Sequence, residues 1–209
     1  MCFPRIMFIG IMFIGMCLLL KACSTAPPLK PSDICSIFSE KSGWYTDARE
    51  AFARWNIEIP IAMAFIRQES NFRADAKPPR TRILWIFPGP RPSSAYGYPQ
   101  AIDTTWERYQ NATSNYSADR DDFADAIDFI GWYNHTSYQT LGIAKSDVYH
   151  LYLAYHEGHA GYSRGAHRNK PWLTNTARRV AVQAQRYRRQ LARCEARLQK
   201  ESSGWWIFS

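Results

Sequence analysis

Glu69 is the residue whose neighbours best equip it to move a proton. It follows Ile61-Ala62-Met63-Ala64-Phe65-Ile66-Arg67-Gln68 and precedes Ser70-Asn71-Phe72. The residues before it read as a helix opened by Pro60, which suits a first helical position, and stopped at Asn71. A carboxyl in the last turn of such a helix sits beside the negative pole of the helix dipole and near apolar side chains. Both influences disfavour ionisation and raise its pKa. A carboxylic acid that keeps its proton near neutral pH can serve as a general acid. Taken alone, the same residue also fits the solvated end of an ordinary amphipathic helix.

Two further groups of residues bear on that choice. One is Ser94-Ala95-Tyr96-Gly97-Tyr98-Pro99-Gln100-Ala101, followed by Thr105-Trp106. The other is Tyr152-Leu153-Ala154-Tyr155-His156-Glu157-Gly158-His159-Ala160-Gly161-Tyr162. With Glu69-Ser70-Asn71-Phe72 they resemble, in order and spacing, the lytic transglycosylases with a goose-type lysozyme-like fold, the soluble-transglycosylase catalytic domain. That family carries Glu-Ser, then Gly-Leu-Met-Gln with Thr-Trp shortly after, then Ala-Tyr-Asn-x-Gly. The resemblance spans roughly residues 45–165.

The resemblance implies that Glu69 is acid and then base in cleaving the β-1,4 link between muramoyl and glucosaminyl residues of peptidoglycan, with a 1,6-anhydro product. It further implies a substrate site built from Ser70, Ser94, Gly97, Tyr98, Gln100, Tyr155, His156 and Glu157. No cofactor is implied. Tyr98-Pro99 stands where the family has Leu-Met, which should reshape one wall of the sugar site. His156 takes the Asn position and Glu157 the small residue after it. The form Tyr-His-Glu-Gly-x-x-Gly-Tyr is similar to a lipoprotein subgroup of these enzymes. Asp75, Asp103 and Glu157 are the candidate second carboxylates. The altered boxes leave open a catalytically silent peptidoglycan-binding lipoprotein, or a hydrolytic muramidase. The spacing of His156 and His159 is not the His-Glu-x-x-His of zinc proteases, so no metal site is assigned.

The elements that must carry these residues read as mainly α, a lysozyme-like single domain with a Pro-rich loop insertion. Helices are expected over Asp47–Trp55, up to Glu69, over Ala101–Gln110, Ala118–Tyr133 and Ser146–Tyr155, the last halted by Gly158. A long basic helix is expected from Thr176 to about Lys200. Prolines 78, 79, 88, 90 and 92 exclude a helix between residues 77 and 94. Ile83-Leu84-Trp85-Ile86-Phe87 within that segment suggests a cleft wall, a contact patch, or an insertion packed on the body.

The N-terminus reads as an export signal. Arg5 precedes an apolar run from Ile6 to Leu20, shorter than the roughly 20 residues a comfortable span needs. Leu20-Lys21-Ala22-Cys23 resembles a lipobox, with Lys21 a departure from the usual small residue. The divisions expected are residues 1–22 as signal, 23–34 as lipidated Cys23 and tether, 35–200 as the domain and 201–209 as a tail. Ser24 after the cysteine implies the outer membrane, reached from the periplasm through the lipid anchor. Of the five cysteines, Cys35 and Cys194 then remain, a pair suited to one disulfide in an oxidising compartment. The net charge of +8 falls to about +6 when Arg5 and Lys21 are removed. Such a surface favours anionic partners, among which export argues against nucleic acid.

Overall fold

A computed structural model describes residues 26–83 and 87–203. The signal segment, Cys23, most of the apolar stretch around Trp85 and the last six residues lie outside this range. Seven helices account for most of the described chain: α1 (Ile34–Glu40), α2 (Trp44–Trp55), α3 (Ile59–Ser70), α4 (Asp103–Thr113), α5 (Phe123–Leu141), α6 (Val148–Ser163) and α7 (Pro171–Ser203). The protein is mainly helical, in keeping with a lysozyme-like domain.

α3 is the hub. Every residue from Ile59 to Ile66 is buried, the signature of a helix that is apolar on all sides and belongs inside the core. α5 and α7 pack against it, α6 packs against both of those, and α2 lies along α5. Gly131 permits the last of these contacts, since a Cβ there would meet Trp55 Cδ1 at 2.6 Å. Asp128 on α5 then accepts hydrogen bonds from Trp55 Nε1 at 2.7 Å and Tyr109 Oη at 2.8 Å, joining α2, α4 and α5. An aromatic group closes the far side. Trp44 stacks on Phe123 with centroids 3.9 Å apart, and Tyr98 meets both rings edge-on.

Helix boundaries follow local chemistry that overrides several expectations. α3 begins at Ile59, so Pro60 takes the second helical position rather than the first. α4 begins at Asp103, because Ala101 is engaged in a bridge to Tyr96. α5 begins at Phe123, five residues later than expected, because the Asp122 carboxylate caps it by accepting from Asp125 N. Asp147, not Ser146, caps α6 in the same manner. Gly158 breaks the helical path of α6, as expected. It adopts φ 71°, ψ 156° and kinks a helix that resumes to Ser163. α7 starts at Pro171 and runs through Ser203, so the expected tail is partly helical. The segment after Lys77 contains an antiparallel pair, β1 (Arg82–Ile83) with β2 (Phe87–Pro88). It is extended by hydrogen bonds from Thr81 N to Pro90 O and from Gly89 N to Thr81 O. Prolines at the edge of a two-stranded pair leave no unsatisfied partner, which is why they do not prevent it.

The expected disulfide is present, Cys35 to Cys194, joining α1 to α7. Around it, Tyr187 Oη donates to Pro31 O, Gln190 Nε2 donates to Ser32 O and Ile34 N donates to Gln190 Oε1. The polypeptide ahead of the domain is therefore docked on α7 from Pro31 onward. Cross-linking across 159 residues removes chain entropy from the unfolded state worth on the order of 5 kcal/mol. Reduction should add two hydrogens to the mass, and the Cys35→Ala, Cys194→Ala double variant should unfold at a lower denaturant midpoint, with a loss of unfolding free energy of about that size. An unchanged midpoint would remove the disulfide from the account of stability.

Candidate active site

The carboxyl of Glu69 lies at the C-terminal end of α3, on the floor of a cleft of about 480 Å³. Gln100, Ala101, Thr105, Phe129, Tyr133, Tyr155, His156, Glu157 and Gly158 line the same cleft, with Ser93 and Ile102 at its side. A volume of this size suits a ligand of a few rings. Glu69 is half-buried. Phe65, one turn earlier, meets the rings of Tyr152 and Tyr155 edge-on at 5.3 Å each. These rings displace water from around the carboxyl.

Burial pushes the Glu69 pKa from 4.5 up to about 7, against an opposing pull from Tyr152. Tyr152 Oη donates to Glu69 Oε1 at 2.8 Å, a bond that favours the ionised form. The desolvation wins, as expected of a carboxyl whose surroundings are aromatic faces rather than charges. In the sequence Tyr152 is only the first residue of the third box. The signal that places it is its spacing, because Tyr152 and Tyr155 lie three residues apart on one face of α6.

The second box is bound to the first and third by hydrogen bonds. Gln100 Nε2 donates to Ala76 O at 2.9 Å and Gly97 O at 2.8 Å. With the amide hydrogens so used, its Oε1 is the atom Gln100 can offer a ligand. Gln100 itself has φ 50°, a left-handed conformation that these two bonds hold. Tyr155 Oη donates to Pro99 O at 2.5 Å, tying α6 to the same loop. Glu69, Gln100 and Tyr155, which are far apart in sequence, thus converge on one cleft.

Several residues expected at the substrate site have other positions. Tyr98 is 2% exposed and belongs to the core, its ring packed edge-on against the stacked pair Trp44 and Phe123. It forms no wall of the cleft. Ser70 is buried and its Oγ donates to Ile66 O at 3.1 Å within its own helix, so it is not presented to a ligand. Ser94 accepts from Asp103 N at the start of α4, and its neighbour Ser93 lines the cleft instead. Gly97 is buried, with φ 74°, and a Cβ there would lie 2.0 Å from Arg120 O. Its part is to let two backbone segments touch. Arg120, absent from the sequence reading, braces this loop: its guanidinium donates to Ala101 O at 2.8 Å and pairs with Asp103 at 2.8 Å.

The candidate second carboxylates divide in the same manner. Asp75 and Asp103 do not line the cleft. Glu157 does, but Lys170 Nζ donates to both its oxygens at 2.8 and 2.9 Å. Burial raises the Glu157 pKa, yet the bonds from Lys170 and His156 outweigh it, and the net shift is downward. It is a fixed anion with a neutralising partner. His156 is exposed at the rim, with Nδ1 3.2 Å from Glu157 Oε1.

A raised carboxyl pKa has a sign for stability. The folded state holds the Glu69 proton up to about pH 7, while the unfolded chain releases it near 4.5. Between those values the native state binds more protons, so stability falls as pH rises. The cost is complete above the folded pKa and is at most on the order of 3 kcal/mol. Glu69→Gln should therefore be more stable than the parent near pH 8, by about 1–3 kcal/mol, with the difference shrinking as pH falls from about 7 and gone below about pH 4.5. Urea unfolding at the two pH values measures it, and equal gains at both would contradict the assignment.

Comparison with known proteins agrees with this geometry. A family pattern described as the transglycosylase SLT domain matches residues 11–194. Searches of curated proteins and of solved structures return no match. The match covers all three boxes and most of the chain, and the protein belongs to the transglycosylase SLT domain family, the lytic transglycosylases, lyases acting on peptidoglycan.

Proposed function

We propose that Glu69 alone carries both proton transfers in peptidoglycan cleavage. The protonated carboxyl gives its proton to the oxygen of the β-1,4 bond leaving the muramoyl residue, as positive charge develops at the anomeric carbon. The carboxylate then takes a proton from the muramoyl 6-hydroxyl as that oxygen attacks the anomeric carbon of its own ring. One C–O bond breaks, one forms, the proton inventory balances and no water is consumed. The observation that carries this reading is a carboxyl with pKa about 7 on the cleft floor, whose nearest carboxylate in the cleft, Glu157, is held as an ion pair. A group with that pKa is competent in both directions near neutral pH. Gln100 Oε1 and the ring of Tyr155 are suited to position the sugar, while Phe129 and Tyr133 provide apolar walls.

For location, we propose export, lipidation at Cys23 and attachment to the outer membrane in the periplasm. The apolar leader, the lipobox-like Leu20–Cys23 and the disulfide support it. The docking of Pro31 and Ser32 on α7 leaves only a short linker to Cys23, which would hold the body close to the anchor.

Products released from purified sacculi by the wild type should carry 1,6-anhydromuramoyl ends by mass spectrometry. A reducing end would identify a muramidase, and no release would identify a silent binder. Glu69→Gln should lower release by a factor of about 10²–10⁴ while its circular dichroism matches the parent. Tyr152→Phe removes the bond that lowers the Glu69 pKa, so the alkaline limb of its pH–rate profile should move to higher pH. A shift to lower pH would contradict the role given to that hydroxyl.

A further inference from the structure

The cleft rim continues past His156. The imidazole meets the indole of Trp172 edge-on, with centroids 5.1 Å apart and planes at 77°. Trp172 is 56% exposed, and its indole N–H has no hydrogen-bond partner among the described residues. Single exposed tryptophans are ordinary on protein surfaces. This one is distinguished by how it is mounted.

Pro171 fixes the first turn of α7, and Leu173 beside Trp172 is fully buried in the core. Lys170, two residues before the indole, grips both oxygens of Glu157. The Glu157 side chain is only 5% exposed and also reaches His156. The start of α7 is thus fastened to the kinked turn of α6 at Gly158, which is itself part of the cleft. The indole is held beside the glycan site on a rigid base, not on a mobile loop.

A pyranose ring offers a face of C–H groups and an edge of hydroxyl or acetamido groups. A flat apolar ring with one N–H at its edge complements both. An aromatic side chain with two torsions, already held in place, loses little conformational entropy on contact.

We propose that Trp172 is a stacking platform for a sugar ring beyond the bond being cleaved, so that the enzyme favours longer glycan strands. This deepens the reading of the cleft given above and rests on it. Lys170 and Glu157 are positioning residues for the platform.

The test compares cleavage of long, peptide-free glycan strands with cleavage of the shortest fragment the wild type accepts. Trp172→Ala should lower the ratio of kcat/KM for long over short substrate about three- to tenfold, mainly through KM. Trp172→Tyr should restore most of it. Trp172→Gln, which keeps a polar side chain of similar reach but no flat face, should behave like the Ala variant. An unchanged ratio, or equal loss on both substrates, would overturn the platform. Wild-type release of anhydro ends is the control: its absence would instead defeat the reading of Glu69.

Discussion

The structure depends on one unfavourable placement, a carboxyl in the last turn of a helix buried along most of its length. α3 runs through the core and is apolar on every face up to Ile66, so the side of its last turn that carries Glu69 meets mainly aromatic side chains. Glu69 emerges there among Phe65, Tyr152 and Tyr155, beside the negative end of the helix dipole. The aromatic packing that makes the core also keeps the proton on the carboxyl. Stability and chemistry oppose each other at this residue, since the environment that raises the pKa is one an ionised carboxylate destabilises.

The cleft around it is held by backbone conformations that cost energy. Asn71, Phe72 and Gln100 are non-glycine residues with φ of 50°, 61° and 50°, and Gly97 and Gly158 have φ of 74° and 71°. Each of the three boxes therefore ends or turns on a left-handed residue. For the three non-glycine residues such conformations cost on the order of 1 kcal/mol or more each and persist where the surroundings over-determine them, whereas the glycines adopt them freely. Here the surroundings are identifiable. Phe72 is fixed by complete burial against Trp44, Gln100 by its two amide bonds, and Gly97 by the approach of Arg120 O. The kink at Gly158 lies in the cleft lining beside Glu157, which Lys170 secures.

What could be read from the sequence was what depends on order along the chain. Glu69 at the close of an apolar helix, Gln100 after a glycine turn, Tyr155 on a later helix and the Cys35–Cys194 pair were all legible, because residue type and spacing announce them. What was not legible depends on side chains meeting from distant segments. Tyr98 stands in a motif position, yet the edges of the stacked Trp44 and Phe123 rings claim it for the core. Ser70 follows the key glutamate, but its helical position turns its hydroxyl back on Ile66 O. Tyr152 counts only because α6 lays one face over the end of α3. The break at Gly158 was legible, but the second helical piece that follows it to Ser163 was not, because a glycine that ends a helix and one that kinks it look alike in sequence.

The most direct measurement of the central claim is a ¹³C NMR titration of the Glu69 side-chain carboxyl in the folded protein, assigned by its loss in Glu69→Gln. The account requires a midpoint near 7, well above an unperturbed glutamate. A midpoint near 4.5 would show a solvated carboxylate, unprotonated at neutral pH, and would contradict the proposal that one residue serves as acid and then as base.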